Sequence, residues 1–190
     1  MREVRVYMTE LNTDTHAAQH AAGRALLRRA LADAGLSPDL AVCADANGKP
    51  YLPDAPGFHF SIAHSGARAV CAVSDVPLGC DLERERMLKH DISRRVCTDA
   101  ERAALRTNAD LFALWTGKEA AVKAVGLGLR LPPASFAVGL AETASLTVGG
   151  TDCVLRRLPP ENGWHLAVCT VGREDFCLRT IPTVASQPEK

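Results

Sequence analysis

The sequence has no net charge: Lys plus Arg and Asp plus Glu both total 22. A nucleic-acid coat or a membrane-adsorbing surface needs an excess of positive charge, so neither is expected of the chain as a whole. Any electrostatic argument must rest on local clusters. A disulfide or zinc framework is also missing. Cys43, Cys71, Cys80, Cys97, Cys153, Cys169 and Cys177 include no CxxC pair, and an odd number leaves at least one unpaired. Several lie in apolar runs such as "RAVCAVS" and "HLAVCTV", where Cys packs as a small hydrophobe. No stretch approaches the ~20 apolar residues of a membrane span, and the opening "MREVRVYMTE" has no apolar signal core. A reducing cytoplasm is the expected setting.

What is present is a core-forming composition. Of 190 residues, 47% are hydrophobic and 23% charged, enough for one domain or two small packed halves. Val4–Met8 reads as a strand. "NTD" offers caps for an Ala/Leu/Arg-rich helix from Thr15 to about Ala34, stopped by Gly35 and Pro38. "LAVCA" is expected as a strand, "DANGKPYLPDAPG" as a loop, and "FHFSIAHS", "ARAVCAVS" and "LGCDLE" as strands. A charged, irregular stretch, "RERMLKHDISRRV", opens the second half. Thr98 and Glu101 then have capping-box spacing, and a helix from about Asp110 to Val125 ends at Gly126. "SFAVGL", "ASLTVG", "CVLRRL" and "WHLAVCTV" complete the strands, before a loose tail, "TVASQPEK". "ARAVCAVS" and "HLAVCTVG" echo one another, which suggests a duplicated α+β chain.

Three stretches could carry chemistry. In "LGCDLER", strand alternation puts Asp81 and Glu83 on one face and Cys80 and Leu82 on the other. Paired carboxylates suit a hard ion such as Mg²⁺, but D-x-E alone is a weak signal, and a solvated acidic run, continued by Glu85, is the plainer account. In the helix, Glu119 and Lys123 stand at i and i+4, with Trp115 and Phe112 one and two turns before them. As a surface ion pair they contribute only about 0.2–0.5 kcal/mol. Beside an apolar surface, Lys and carboxylate could instead hold a phosphate and move a proton. In "FHFSIAHSG", Phe58, Phe60 and Ile62 share a face, and His64 arrives at a strand end beside Gly66, where it is either structural or a phosphate contact. Lys49 lies in the tight turn "NGKPY", usually an exposed position.

The order of these motifs is more specific than any one of them. "GKP", "FHFSIAHSG", "PLGCDLE" and "LWTGKEAAVKAVGLGL" together resemble the 4′-phosphopantetheinyl transferases of the Sfp type, across roughly Val4 to Thr170. The resemblance implies two similar α+β halves related by a pseudo-two-fold axis, with the active site in the cleft between them. We take the halves as residues 1–83 and 84–190. It further implies transfer of 4′-phosphopantetheine from coenzyme A to a carrier-protein serine, with release of adenosine 3′,5′-bisphosphate. By the same resemblance Asp81, Glu83 and Glu119 would hold Mg²⁺ (or Mn²⁺), and Glu119 would act as base, alone or through a metal-bound water. Lys123 would contact the phosphate and assist the leaving group, while His64 and Lys49 would hold a phosphate oxygen and the nucleotide end of coenzyme A, which Asp81 also contacts through the metal.

Two departures stand out. Ser61-Ile62-Ala63-His64 replaces the family's Asn-x-Ser-His, and "TELNTDTHAAQH" is shorter than the basic segment that helps hold the 3′-phosphate of coenzyme A; Arg24 and Arg28 are candidate substitutes. The expected partner is an acyl or peptidyl carrier protein. Arg84, Arg86, Arg94 and Arg95, interleaved with Met87, Leu88 and Ile92, would dock its acidic helix, unless this segment is only a solvated linker. A monomer is expected, with neither nucleic acid nor membrane as partner. Two rivals are an adaptor that binds carrier or nucleotide without turnover, and a Mg²⁺-dependent phosphohydrolase.

Overall fold

Val4, Val6, Tyr7 and Thr9 are the buried positions of the first apolar run, and in the computed structural model, which describes residues 2–182, this run is β1 (Arg2–Glu10). It is followed by α1 (His16–Asp33), β2 (Cys43–Ala44), β3 (Pro50–Tyr51), β4 (His59–Ser65), β5 (Arg68–Ser74) and β6 (Leu78–Arg84). Then come α2 (Ser93–Val96), α3 (Asp99–Ala104), α4 (Asn108–Val125), β7 (Thr143–Val148), β8 (Thr151–Glu161), β9 (Trp164–Val171) and β10 (Phe176–Pro182).

The helices start and stop for local reasons. Thr15, beyond the "NTD" triplet, is the N-cap of α1, its side chain accepting from the Ala18 amide. Thr98 and Glu101 form the expected capping box, and Thr107 and Asp110 form another at the start of α4. Gly126 ends α4 at φ 70°, a left-handed conformation that glycine adopts without strain.

Strand order is β10-β1-β5-β4 in one sheet and β6-β9-β8-β7 in the other, with β2-β3 a small separate pair. A cluster including Tyr7, Leu26, Leu31, Phe60 and Cys71 fixes α1 to one face of the first sheet. A second cluster joins the two sheets face to face, through Val4, Val6, Val70 and Ala72 on one side and Leu78, Cys80, Leu166 and Val168 on the other. A third lies beneath α4, where Leu114 and Ala121 meet Leu155, Ala167 and Cys169. The result is an α+β stack of helix, sheet, sheet and helix.

The echoed strands occupy matching places. β5 and β9 are each second from the edge formed by β4 or β6, and those two edge strands meet. Ala69 and Cys71 face α1 while Val70 faces the other sheet; Ala167 and Cys169 face α4 while Val168 faces the other sheet.

Three expectations need correction. "LAVCA" supplies only the two residues of β2, which pair with β3. "SFAVGL" forms no strand: its backbone groups are taken up by buried side chains. β10 was not anticipated; it runs parallel to β1, Arg2 opposite Phe176 and Tyr7 opposite Ile181. Sheet membership therefore crosses residue 83: β6 joins the strands that follow it, and β10 returns to the first sheet. The tail 183–190 lies outside the described residues. All seven cysteines are free, five of them buried. Among the described residues no helix is long and apolar enough to cross a membrane.

Candidate active site

Gly79 sets the distance between β6 and α4. A Cβ there would stand 2.2 Å from the Ala120 carbonyl oxygen and 2.4 Å from the Ala124 nitrogen. Only glycine lets the helix backbone rest directly on the strand. Two residues further, on the same face of β6, Asp81 meets the helix, and Lys123 reaches it. Nζ lies 2.7 Å from Asp81 Oδ1 and donates to the Cys80 carbonyl at 3.2 Å.

Asp81 is buried, and burial pushes its carboxyl up to about 6; Lys123 opposes the shift, while Glu83 and Glu119 add to it. Burial works against the Lys123 ammonium, but Asp81 outweighs it and holds its pKa above the ordinary value. Asp81 Oδ2 is buried without a hydrogen-bond partner. An orphaned carboxylate oxygen beside two further carboxylates fits a hard, oxygen-seeking cation. The three acids do not yet converge: among the described residues no group of three His, Cys, Asp or Glu side chains is set to hold a metal. Glu83 Oε2 instead accepts from Ser65 Oγ at 3.0 Å and from Arg86 at 2.8 Å.

Glu119 and Lys123 line a cavity of about 380 Å³ together with Lys49, Ser61, Ile62 and Leu131. Lys49 is half-buried rather than exposed. Asp45 Oδ1 accepts from the Asn47 and Lys49 amides at 2.8 and 2.9 Å, shaping the turn, and Gly48 supplies φ 84°. Lys49 Nζ then donates to the Ala124 carbonyl at 2.6 Å, at the C-terminal end of α4, where free carbonyls favour a cation. Burial holds its pKa below the ordinary value.

A neighbouring cavity of about 660 Å³ shares Pro50, Phe60 and Ile62 with the first and is lined also by His20, Arg24 and His64. His64 stands edge-on to His16 at 6.0 Å between ring centroids, and His16 is 6.3 Å from His20. Burial, with His16, Lys123 and His20 around it, keeps His64 below its usual pKa. Arg24 and Arg28 both line this cavity, and Arg28 is engaged by Asp39. Ala63, where the family carries a hydroxyl, packs in the apolar cluster between the sheets.

The arginines expected to dock a carrier divide. Arg94 and Arg95 are exposed on α2. Arg84 lies over Trp164, and Arg86 covers Phe112 and Trp115 while pairing with Glu83. Sequence reasoning missed His16 and His20, the Ser65–Glu83 contact, the His165–Glu85 pair at 2.7 Å, and the buried Lys118. The histidine spacing one turn apart at the start of α1 was the one available signal.

A family model described as the 4′-phosphopantetheinyl transferase superfamily matches residues 77–179. That is the stretch carrying Gly79, Asp81, Glu83, Glu119 and Lys123. The chain belongs to this superfamily. It is accordingly placed in that class of enzymes, the transferases of 4′-phosphopantetheine. A 4′-phosphopantetheinyl transferase of Bacillus subtilis is 36% identical over 167 residues, 82% of this chain and 74% of its own length. The 4′-phosphopantetheinyl transferase Sfp of Bacillus subtilis strain 168 is 32% identical over 141 residues, covering 69% of this chain and 63% of the relative. The transferase HetI of Nostoc is 31% identical over 162 residues, 77% of this chain and 68% of the relative. The chain thus spans between about three fifths and three quarters of these relatives' lengths.

Proposed function

We propose that this phosphopantetheinyl transferase moves 4′-phosphopantetheine from coenzyme A to a serine hydroxyl of an acyl or peptidyl carrier protein. The serine oxygen bonds to the phosphorus, the bond to adenosine 3′,5′-bisphosphate breaks, and apo carrier becomes holo carrier. The observation that carries the reading is the Lys123–Asp81 pair set behind a cavity wall that also bears Glu119.

Glu119 takes the serine proton. Lys123 holds a phosphate oxygen and stabilises or protonates the leaving group. Asp81, Glu83 and Glu119 would hold Mg²⁺ or Mn²⁺, which offsets the charge of the pyrophosphate and of the phosphorus under attack. Asp81 Oδ2 supports this, and Glu83 would exchange Arg86 for the cation. His64, with Arg24, His16 and His20 around its cavity, takes phosphate oxygens of coenzyme A, supplying positive character where the basic N-terminal segment is short. Lys49 borders the nucleotide end. Such catalysis is mostly positioning and electrostatics, with no covalent enzyme intermediate.

The matching faces of β5 and β9 support two similar sheet-and-helix units with a pseudo-two-fold relation and the active site between them, the first being β1 to β5 with β10 and the second β6 to β9, in place of a division at residue 83. Exposed Arg94 and Arg95, with the 95% exposed Met87 in the same connecting stretch, support a carrier-docking surface. We infer a cytoplasmic monomer on the family's pattern.

The test incubates the protein with coenzyme A, Mg²⁺ and a panel of apo carriers, and weighs the carriers by intact mass spectrometry. One phosphopantetheinyl group should be gained, and the gain lost in Lys123→Ala and Glu119→Ala. Coenzyme A binding with no gain on any carrier would point to an adaptor instead. Cleavage of coenzyme A without carrier would point to a phosphohydrolase.

A further inference from the structure

The residue preceding Glu119 has the opposite fate. Lys118 is wholly buried, its Nζ 2.7 Å from Glu101 Oε2. It also donates to the Pro133 carbonyl at 2.8 Å and to the Phe136 carbonyl. Glu101 in turn accepts from the amides of Val138 and Gly139 at 2.8 and 3.2 Å, and from the Thr98 amide at 2.9 Å. One buried ion pair therefore holds residues 133–139 by carbonyls on one side and amides on the other. Arg157 extends the clamp, donating to the Gly139 and Ala141 carbonyls. This is why "SFAVGL" needs no strand partner. A buried backbone must be satisfied somewhere, and here side chains do it.

The clamp takes hold where a wall of the cavity ends, at Pro133. Gly128, Leu131 and Pro133 line it with Glu119 and Lys123. A single turn of α4 thus carries both the cavity carboxylate and the cation that fixes the wall. We propose that Lys118 and Glu101 are positioning residues, whose buried pair sets the Gly128–Pro133 wall and thereby the cavity's affinity for coenzyme A, without touching it. The proposal rests on the reading that this cavity takes coenzyme A.

A role confined to core stability would lower the amount of folded protein and leave KM alone. A positioning role raises KM for coenzyme A and largely spares kcat, because the wall contacts substrate and transition state alike. Lys118→Met strands the Glu101 charge in the interior, so the decisive variant is the double, Lys118→Met with Glu101→Gln. It removes both charges and keeps the volume. The double variant should fold cooperatively, bind coenzyme A about tenfold more weakly by calorimetry, and show KM raised about tenfold with kcat within about twofold. Hydrogen exchange at Val138 and Gly139 should quicken. Wild-type KM and affinity in the folded double variant would overturn the proposal, as would a fall in kcat at unchanged KM. Lys123→Ala and Glu119→Ala run alongside: if both bind coenzyme A as the parent does and still modify carrier, the cavity is not the coenzyme A site, and the reading beneath fails first.

Discussion

Lys123 bonds not to Glu119, one helical turn before it, but to Asp81 on the neighbouring strand, Nζ to Oδ1 at 2.7 Å. The i,i+4 spacing in the helix does not mark an ion pair; it puts both residues on one side of the helix. Both side chains face one cavity, and the electrostatic partner comes from another element. Lys123→Ala should therefore do two things. Carrier modification should fall by at least about a hundredfold, as when a single charge-stabilising group is removed from an active site. Asp81, losing the cation that opposes its raised pKa, should be protonated at neutral pH to a greater extent, which NMR titration of its carboxyl would register. Unchanged transfer rates would remove Lys123 from the chemistry.

Gly79→Ala should be far worse than Gly23→Ala. At Gly79 the added methyl meets helix backbone at 2.2 and 2.4 Å, which only separation of β6 from α4 can relieve. At Gly23 it meets Ile62 Cγ2 at 2.6 Å, a stiff β-branched side chain whose shift still disturbs less than parting two backbones. Overpacking costs about 1–3 kcal/mol where neighbours can shift. We expect Gly23→Ala within that range and Gly79→Ala at or beyond its upper end, with loss of transfer. Urea unfolding of both variants checks the order.

Coenzyme A affinity should strengthen as pH falls through the region of the His64 pKa. In the free protein, burial and the nearby His16, Lys123 and His20 hold His64 below 6.5. A bound phosphate favours the imidazolium and raises that pKa, so binding takes up a proton, and proton uptake makes affinity grow as pH drops. His64→Ala should weaken binding about tenfold, or ~1.4 kcal/mol, and flatten the pH dependence. Calorimetry in buffers of different ionisation enthalpy measures the proton directly. A dependence of the same slope in the variant would place the effect elsewhere.

Charge reversal on α2 separates partner from substrate. Arg94→Glu with Arg95→Glu should raise KM for an apo carrier several-fold, more at low salt than high, since exposed charges act through screened fields. Coenzyme A binding should not change. Equal carrier kinetics at low salt would make this segment a linker.

Periodicity and punctuation settled much of this protein from sequence alone. The α+β class, both long helices with their glycine stops, the capping box at Thr98, and the faces of Asp81 against Cys80 were all legible, because spacing and capping act within a few residues. The motif order also pointed to Asp81, Glu119 and Lys123 as neighbours in one site. Other features had no local signature. β10 exists because β1 offers a parallel edge more than 160 residues away, and parallel pairing needs no turn signal near either strand. "SFAVGL" alternates like a strand, yet Glu101, Lys118 and Arg157 satisfied its backbone first. Lys49 and Lys118 look alike in a sequence, one in a turn and one beside a glutamate. Their burial was decided by what folded over them. Local spacing fixes which face a side chain takes; only the packed sheets and helices decide what that face meets, since a charge's partner and its solvent are properties of the whole chain.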